Sequence, residues 1–166
     1  MKKLLLLLFL FTLSLNMAWG ENIDLSIIST IESNNNPLAY NYKSKAIGLC
    51  QITPIVLDEY NWRGIISYPM QEGSWVKDTP DLTLSDLYIP HINMEIANWY
   101  INIRIPQMLK AYNIPDTIET RLICFNWGIG NLNKFYSNPF NYPSYDKLPK
   151  ETRNYIKRYI QLLKRS

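Results

Sequence analysis

The chain has 166 residues, of which 47% are hydrophobic, 13% aromatic and 19% charged, with a formal charge of +3. That length suits one domain that buries a single sizeable core, and the weak charge excludes strong electrostatic steering toward nucleic acid. Met1-Lys2-Lys3, the apolar run Leu4 to Leu15 and the small residues Ala18 and Gly20 around Trp19 have the plan of a signal peptide over residues 1–20, cleaved near Gly20. The run is shorter than the ~20 residues a membrane-spanning helix needs. Glu21, not Cys, follows Gly20, so no acyl anchor is expected. Residues 21–166 are then expected to form one soluble, monomeric domain without a stable membrane anchor, periplasmic or secreted. Loss of Lys2 and Lys3 leaves 15 basic against 14 acidic residues, a charge of +1.

In chain order, Ile23, Ile27, Ile28 and Ile31 recur at helical spacing and Asp24 favours the positive helix end, so a helix is predicted over Ile23 to Ser33. Asn34-Asn35-Asn36-Pro37 stops it, which sets Glu32 at a helix end beside a loop. Leu38 to Lys45 is mixed and rich in Tyr and Asn, and suits a short hairpin. The apolar stretch Ile47 to Ile52 ends at Thr53-Pro54, where Thr53 can cap a helix that Pro54 begins. Tyr60 to Pro90, with Gly64, Pro69, Gly73, Pro80 and Pro90, reads as long connections with room for one short helix. Trp62 and Trp75 lie within it, and an ordinary packed loop accounts for them better than a role in ligand binding.

Ile92, Ile96, Trp99, Tyr100 and Ile103 share one helical face, with Pro106 kinking the run or ending it. Thr117 to Trp127 is a further helix, terminated by Gly128 and Gly130. After a Pro- and Tyr-rich linker, Thr152, Tyr155, Ile156, Tyr159, Ile160 and Leu163 mark a closing amphipathic helix. The fold class is mainly α, α+β at most, with a small β-hairpin near the cleft.

The two cysteines, Cys50 and Cys124, leave two readings open in an exported chain. A disulfide would close a loop of roughly 70 residues and contribute about 4 kcal/mol in the chain-entropy model. Two buried apolar thiols are the alternative.

Metal catalysis is not expected, because His91 is the single histidine and the cysteines are far apart; no cofactor is expected either. No serine lies in a nucleophile-elbow sequence, and Gly128-Ile129-Gly130 is too short for a phosphate loop. Carboxylate chemistry remains. Breaking a glycosidic bond takes an acid still protonated near neutral pH, which a carboxyl supplies where apolar surroundings raise its pKa. Glu32, after Ile27, Ile28 and Ile31, is placed for such surroundings, although a Glu at a helix end is ordinarily just solvated.

Four blocks of sequence add to this. Glu32-Ser33, Asn36-Pro37, Ala39 and Gly48-Leu49-Cys50-Gln51-Ile52-Thr53-Pro54 form the first; Pro90, Asn93, Met94, Ala97, Tyr100 and Ile101 the second; Phe125-Asn126-Trp127-Gly128 with Gly130-Asn131 the third; Pro149, Glu151-Thr152 and Tyr155 the fourth. In this order they resemble the soluble lytic transglycosylase family, related to goose-type lysozyme. Cys50, Cys124 and Ala97 stand where Met, Ala and Gly are common.

The resemblance implies a lysozyme-like fold, with peptidoglycan glycan strands as the binding partner. It also implies a reaction in which Glu32 protonates the oxygen between N-acetylmuramic acid and N-acetylglucosamine, then takes the proton of the muramic acid 6-hydroxyl. That hydroxyl attacks its own anomeric carbon and leaves a 1,6-anhydro end, so no second carboxylate is needed to hold water. Gln51, Tyr100 and Asn126 match supporting positions of the motifs, each with a structural role as its alternative. Ser44 is the nearest candidate for the family serine between Ala39 and Gly48, while Asn41 holds its usual offset. Glu151 is expected to tether helices.

Two rival functions stay open. A hydrolytic muramidase would use Glu32 and a water held by an Asp such as Asp58, Asp78, Asp81 or Asp86. A non-catalytic wall-binding module would serve a secretion or conjugation apparatus, the partner also conceivable for the enzyme.

Overall fold

The computed structural model describes residues 22–63, 81–138 and 145–165. The predicted signal segment, Trp75 and Asp78 lie outside these residues. The fold is mainly helical, as the sequence predicts.

Helix α1 spans Leu25–Ser33. Asp24 starts it by accepting a hydrogen bond from the Ser26 backbone N–H at 2.8 Å, which satisfies one of the donors a helix leaves open at its first turn. It stops where Asn34 and Asn35 adopt left-handed φ of 54° and 61°, a conformation asparagine tolerates better than most side chains. Helix α2 spans Pro54–Trp62, with proline preset at its first position. Thr53 precedes it, but the Thr53 side chain makes no capping hydrogen bond, contrary to expectation.

The expected hairpin is reduced to two isolated bridges, Tyr40 with Ile47 and Ile47 with Ile52. Ile47 and Ile52 exchange backbone hydrogen bonds of 3.0 Å in both directions and close a four-residue turn over Gly48 to Gln51. The Asn- and Tyr-rich approach spends its polar groups on local turns instead of a ladder: the Asn41 side chain accepts from the N–H of Lys43 and of Ser44.

A 3₁₀ turn at Leu84–Tyr88 leads into α3, Pro90–Trp99, which continues through a π-helical turn at Tyr100–Arg104 into α4, Ile105–Ala111. Pro106 therefore neither ends nor breaks the run, since the wide turn before it has already displaced the regular hydrogen-bond ladder. The extra residue in that turn also shifts the phase of the buried face. Ile96, Ile101, Ile105 and Leu109 are fully buried, whereas Ile103, expected on this face, is 47% exposed.

Helix α5, Ile118–Trp127, begins at Thr117, whose hydroxyl accepts from the Thr120 N–H, and ends at Gly128 with φ of 86°. Gly130 is no terminator: it lies inside α6, Ile129–Ser137, an element absent from the predicted order. Leu132 and Phe135 bury the face of α6. Helix α7, Lys150–Leu163, closes the described chain and packs on both α1 and α5. Its buried stripe is Thr152, Tyr155, Ile156 and Tyr159, while Leu163 is 40% exposed. Each fully buried Ile or Leu of this core contributes about 1.5–3 kcal/mol relative to exposure. No helix among the described residues is long and apolar enough to cross a membrane.

Candidate active site

Three elements converge on Glu32: the end of α1 that carries it, the turn from Gly48 to Gln51, and one face of α7. Ser33 joins the first two, because its hydroxyl donates to the Leu49 carbonyl at 2.8 Å. Asn93 of α3, completely buried, holds the turn from behind. Its Nδ2 donates to the Ile47 and Leu87 carbonyls at 2.9 Å each, and its Oδ1 accepts from the Cys50 N–H at 2.8 Å. Gly48 has φ of 79° and lies against the Asn93 amide and the Leu87 carbonyl, so no side chain fits there.

The turn thereby forces Gln51, a non-glycine residue, to φ of 50°. Such backbone strain persists only where the surroundings over-determine it, and it clusters at functional sites. The Gln51 Nε2 donates to the Gly48 carbonyl at 3.0 Å, which fixes the side chain at the cleft.

A cavity of about 420 Å³ is lined by Glu32, Ser44, Gln51, Tyr100 and Asn126, so all five residues named from the sequence meet there. Asn41 lines it too, and extends into an adjoining cavity of about 630 Å³ that Ser44 does not reach. Asn126 is held by the Thr152 hydroxyl, which donates to its Oδ1 at 2.9 Å and so links α5 to α7. Tyr100, at the start of the π-helical turn, is kept protonated by burial, its phenol pushed up to about 12.

Burial raises the Glu32 carboxyl above the usual range, and the negative charge of Glu151 adds to the rise; Tyr155 and the positive charge of Arg158 oppose it. Tyr155 is a tyrosine whose hydroxyl lowers the Glu32 pKa against the effect of burial. Its buried hydroxyl interacts with the carboxyl but closes no hydrogen bond of normal geometry. The sequence showed Tyr155 as a core position of α7 and as part of the fourth block; only the packing of α7 on α1 reveals what it faces.

Glu151 is a correction as well. Exposed, with no hydrogen bond or ion pair to any described residue, it tethers nothing and lines the same cavity as Glu32. None of Asp58, Asp81 and Asp86 lines either cavity. Asp86 instead accepts from the backbone N–H and hydroxyl of Thr83 and caps the 3₁₀ turn.

Cys50 and Cys124 are free, buried thiols, and the disulfide is not formed. Cys50 packs its sulfur 3.5 Å from that of Met94. Burial pushes both thiols up to about 12, so neither is a thiolate, and the apolar reading is the one realised. No cluster of metal-ligating side chains exists among the described residues.

A family model for the transglycosylase SLT domain matches residues 16–146. The chain belongs to that family. It is also similar to the membrane-bound lytic murein transglycosylase E of Buchnera aphidicola subsp. Baizongia pistaciae (strain Bp), 32% identical over 122 residues that cover 70% of this chain and 51% of the relative. The chain thus spans about half the length of the curated relative it matches. No solved structure matches it.

Proposed function

We propose that this SLT domain is a peptidoglycan lytic transglycosylase that cleaves the β-1,4 bond between N-acetylmuramic acid and N-acetylglucosamine and leaves 1,6-anhydromuramyl ends. The observation that carries the reading is Glu32, a carboxyl whose pKa burial raises, in a cavity whose sole other lining carboxylate among the described residues is the exposed Glu151. A raised pKa keeps the acid protonated for delivery to the glycosidic oxygen. Once ionised, Glu32 accepts the proton of the muramyl 6-hydroxyl as that hydroxyl attacks the anomeric carbon. The nucleophile is already part of the substrate, so its effective concentration replaces a water-holding carboxylate.

In this reading Gln51 and Asn126 bind the substrate, Tyr100 and either Ser44 or Asn41 line its path, and Tyr155 orients Glu32. The mature enzyme acts in the periplasm or outside the cell, without a cofactor, on glycan strands of the wall, and a secretion or conjugation apparatus is the class of machine it would serve. A hydrolytic muramidase would need a water-positioning carboxylate, for which Glu151 is the available group.

The test is mass spectrometry of fragments released from purified peptidoglycan by the mature protein and by Glu32→Gln. Anhydromuramyl ends from the first and none from the second are expected. Reducing ends would transfer the reading to a muramidase, and an absence of products from both would transfer it to a wall-binding module.

A further inference from the structure

Helix α7 lays a ladder of three groups along the cleft. Glu151, Tyr155 and Arg158 are spaced four and three residues apart, which puts them on one helical face. At 1.5 Å per residue the outer two are separated by about 10 Å along the axis, with the Tyr155 rung at Glu32 between them. Glu151 lines the smaller cavity and Arg158 the larger, and the two cavities meet at Glu32, Asn41 and Gln51. The cleft therefore has one anionic and one cationic arm.

Arg158 is the only Lys or Arg among the described residues in either lining. Its guanidinium is exposed, forms no ion pair with any described residue, and makes a single long contact of 3.4 Å to the Ile31 carbonyl at the end of α1. Its other donors are unspent on any described residue, and it lines the cavity. Across the same cavity stand Tyr40 and Tyr42, edge-to-face at 4.9 Å between ring centroids, with Tyr42 82% exposed. An aromatic wall suits the apolar face of a sugar ring, and a planar fork of N–H groups suits a carboxylate, which it can hold through two parallel hydrogen bonds.

We infer that Arg158 forms a subsite for a carboxylate on the 3-O-lactyl arm of a muramyl residue, and that Glu151 repels the same arm from the opposite side of Glu32. This rests on the glycan reading above and deepens it: the two charges would set the direction in which a strand lies across Glu32. The carboxylate comes from one of two sources, the acidic stem peptide or the free lactyl group of a peptide-free strand.

Equilibrium binding tests the inference in full-length mature protein carrying Glu32→Gln, with and without Arg158→Ala. Three oligosaccharides of equal length serve as probes: a peptide-bearing peptidoglycan strand, the same strand with its peptides removed by an amidase, and a chitin oligosaccharide, which has no carboxylate. Arg158→Ala is expected to weaken at least one carboxylate-bearing strand about tenfold and to leave the chitin oligosaccharide within about twofold. Loss limited to the peptide-bearing strand supports peptide carboxylates as the ligand, and loss limited to the stripped strand supports the lactyl carboxylate. Arg158→Lys, which keeps the charge without the fork, is expected between the two proteins. Equal loss on all three probes, or loss on none, overturns the inference. If no probe binds even with Arg158 intact, the glycan reading falls along with it, whereas binding without cleavage by the wild-type protein counts against the transglycosylase activity alone.

Discussion

Replacing Asn93 by alanine tests whether the site is held from behind as described. The side chain is fully buried and satisfies three backbone groups, the carbonyls of Ile47 and Leu87 and the N–H of Cys50. Each buried group left without a partner costs about 1–3 kcal/mol, and a water admitted to the vacated amide volume recovers part of that, so a loss of about 3–5 kcal/mol is expected. This is a large fraction of the 5–15 kcal/mol typical of a whole domain. Urea denaturation followed by circular dichroism should show the midpoint lowered by about 2 M for a slope near 2 kcal/mol/M, with the slope itself unchanged. Glycan binding should weaken in the surviving folded fraction, because the same amide anchors the turn that carries Gln51. A midpoint shift below about 0.5 M would show that the turn holds itself, and would refute the argument that Asn93 positions the cleft.

Gly48→Ala should be comparably damaging, about 2–4 kcal/mol, since the new methyl overlaps both the Asn93 amide and the Leu87 carbonyl at a left-handed φ of 79°; a thermal melt within error of wild type would contradict this. Glu32→Gln should stabilise the protein at neutral pH. A carboxyl with its folded pKa raised above 4.5 binds more protons folded than unfolded, so stability falls as pH rises through that raised value; the variant's advantage in Tm should appear above it and vanish at pH values below about 4.5. On the proposed mechanism, the alkaline limb of the activity profile should report loss of the Glu32 proton. Glu151→Gln removes a charge that raises the Glu32 pKa and should move that limb to lower pH, whereas Arg158→Gln should move it higher, and limbs that move together would disprove the opposed-charge arrangement.

The local chemistry of the chain was legible without its fold where short-range sterics decide. Asp24, the Asn34 to Pro37 run, Pro54, Thr117 and Gly128 start or stop helices within a residue or two of where the sequence placed them, because capping and left-handed conformations involve neighbours only. The four blocks likewise located Glu32, Gln51, Tyr100 and Asn126, which share a cavity. Reading failed where spacing changed. The π-helical turn at Tyr100–Arg104 adds a residue that a 3.6-residue period cannot anticipate, so Ile103 was put on the wrong face. Helix α6 was hidden because Gly130 reads as a terminator, and because burial of Leu132 and Phe135 supplies what local propensity does not.

What the sequence determined by itself was therefore most of the helix ends and the placing of the Glu32 carboxyl beside a loop. Only the tertiary structure decided how that carboxyl is tuned. Desolvation of Glu32, the approach of the Tyr155 hydroxyl and the opposed charges of Glu151 and Arg158 all arise because α7 packs across the end of α1 from more than a hundred residues away. A carboxyl's pKa depends on the dielectric and charges within a few ångströms of it, and a linear sequence does not record which distant groups come that close.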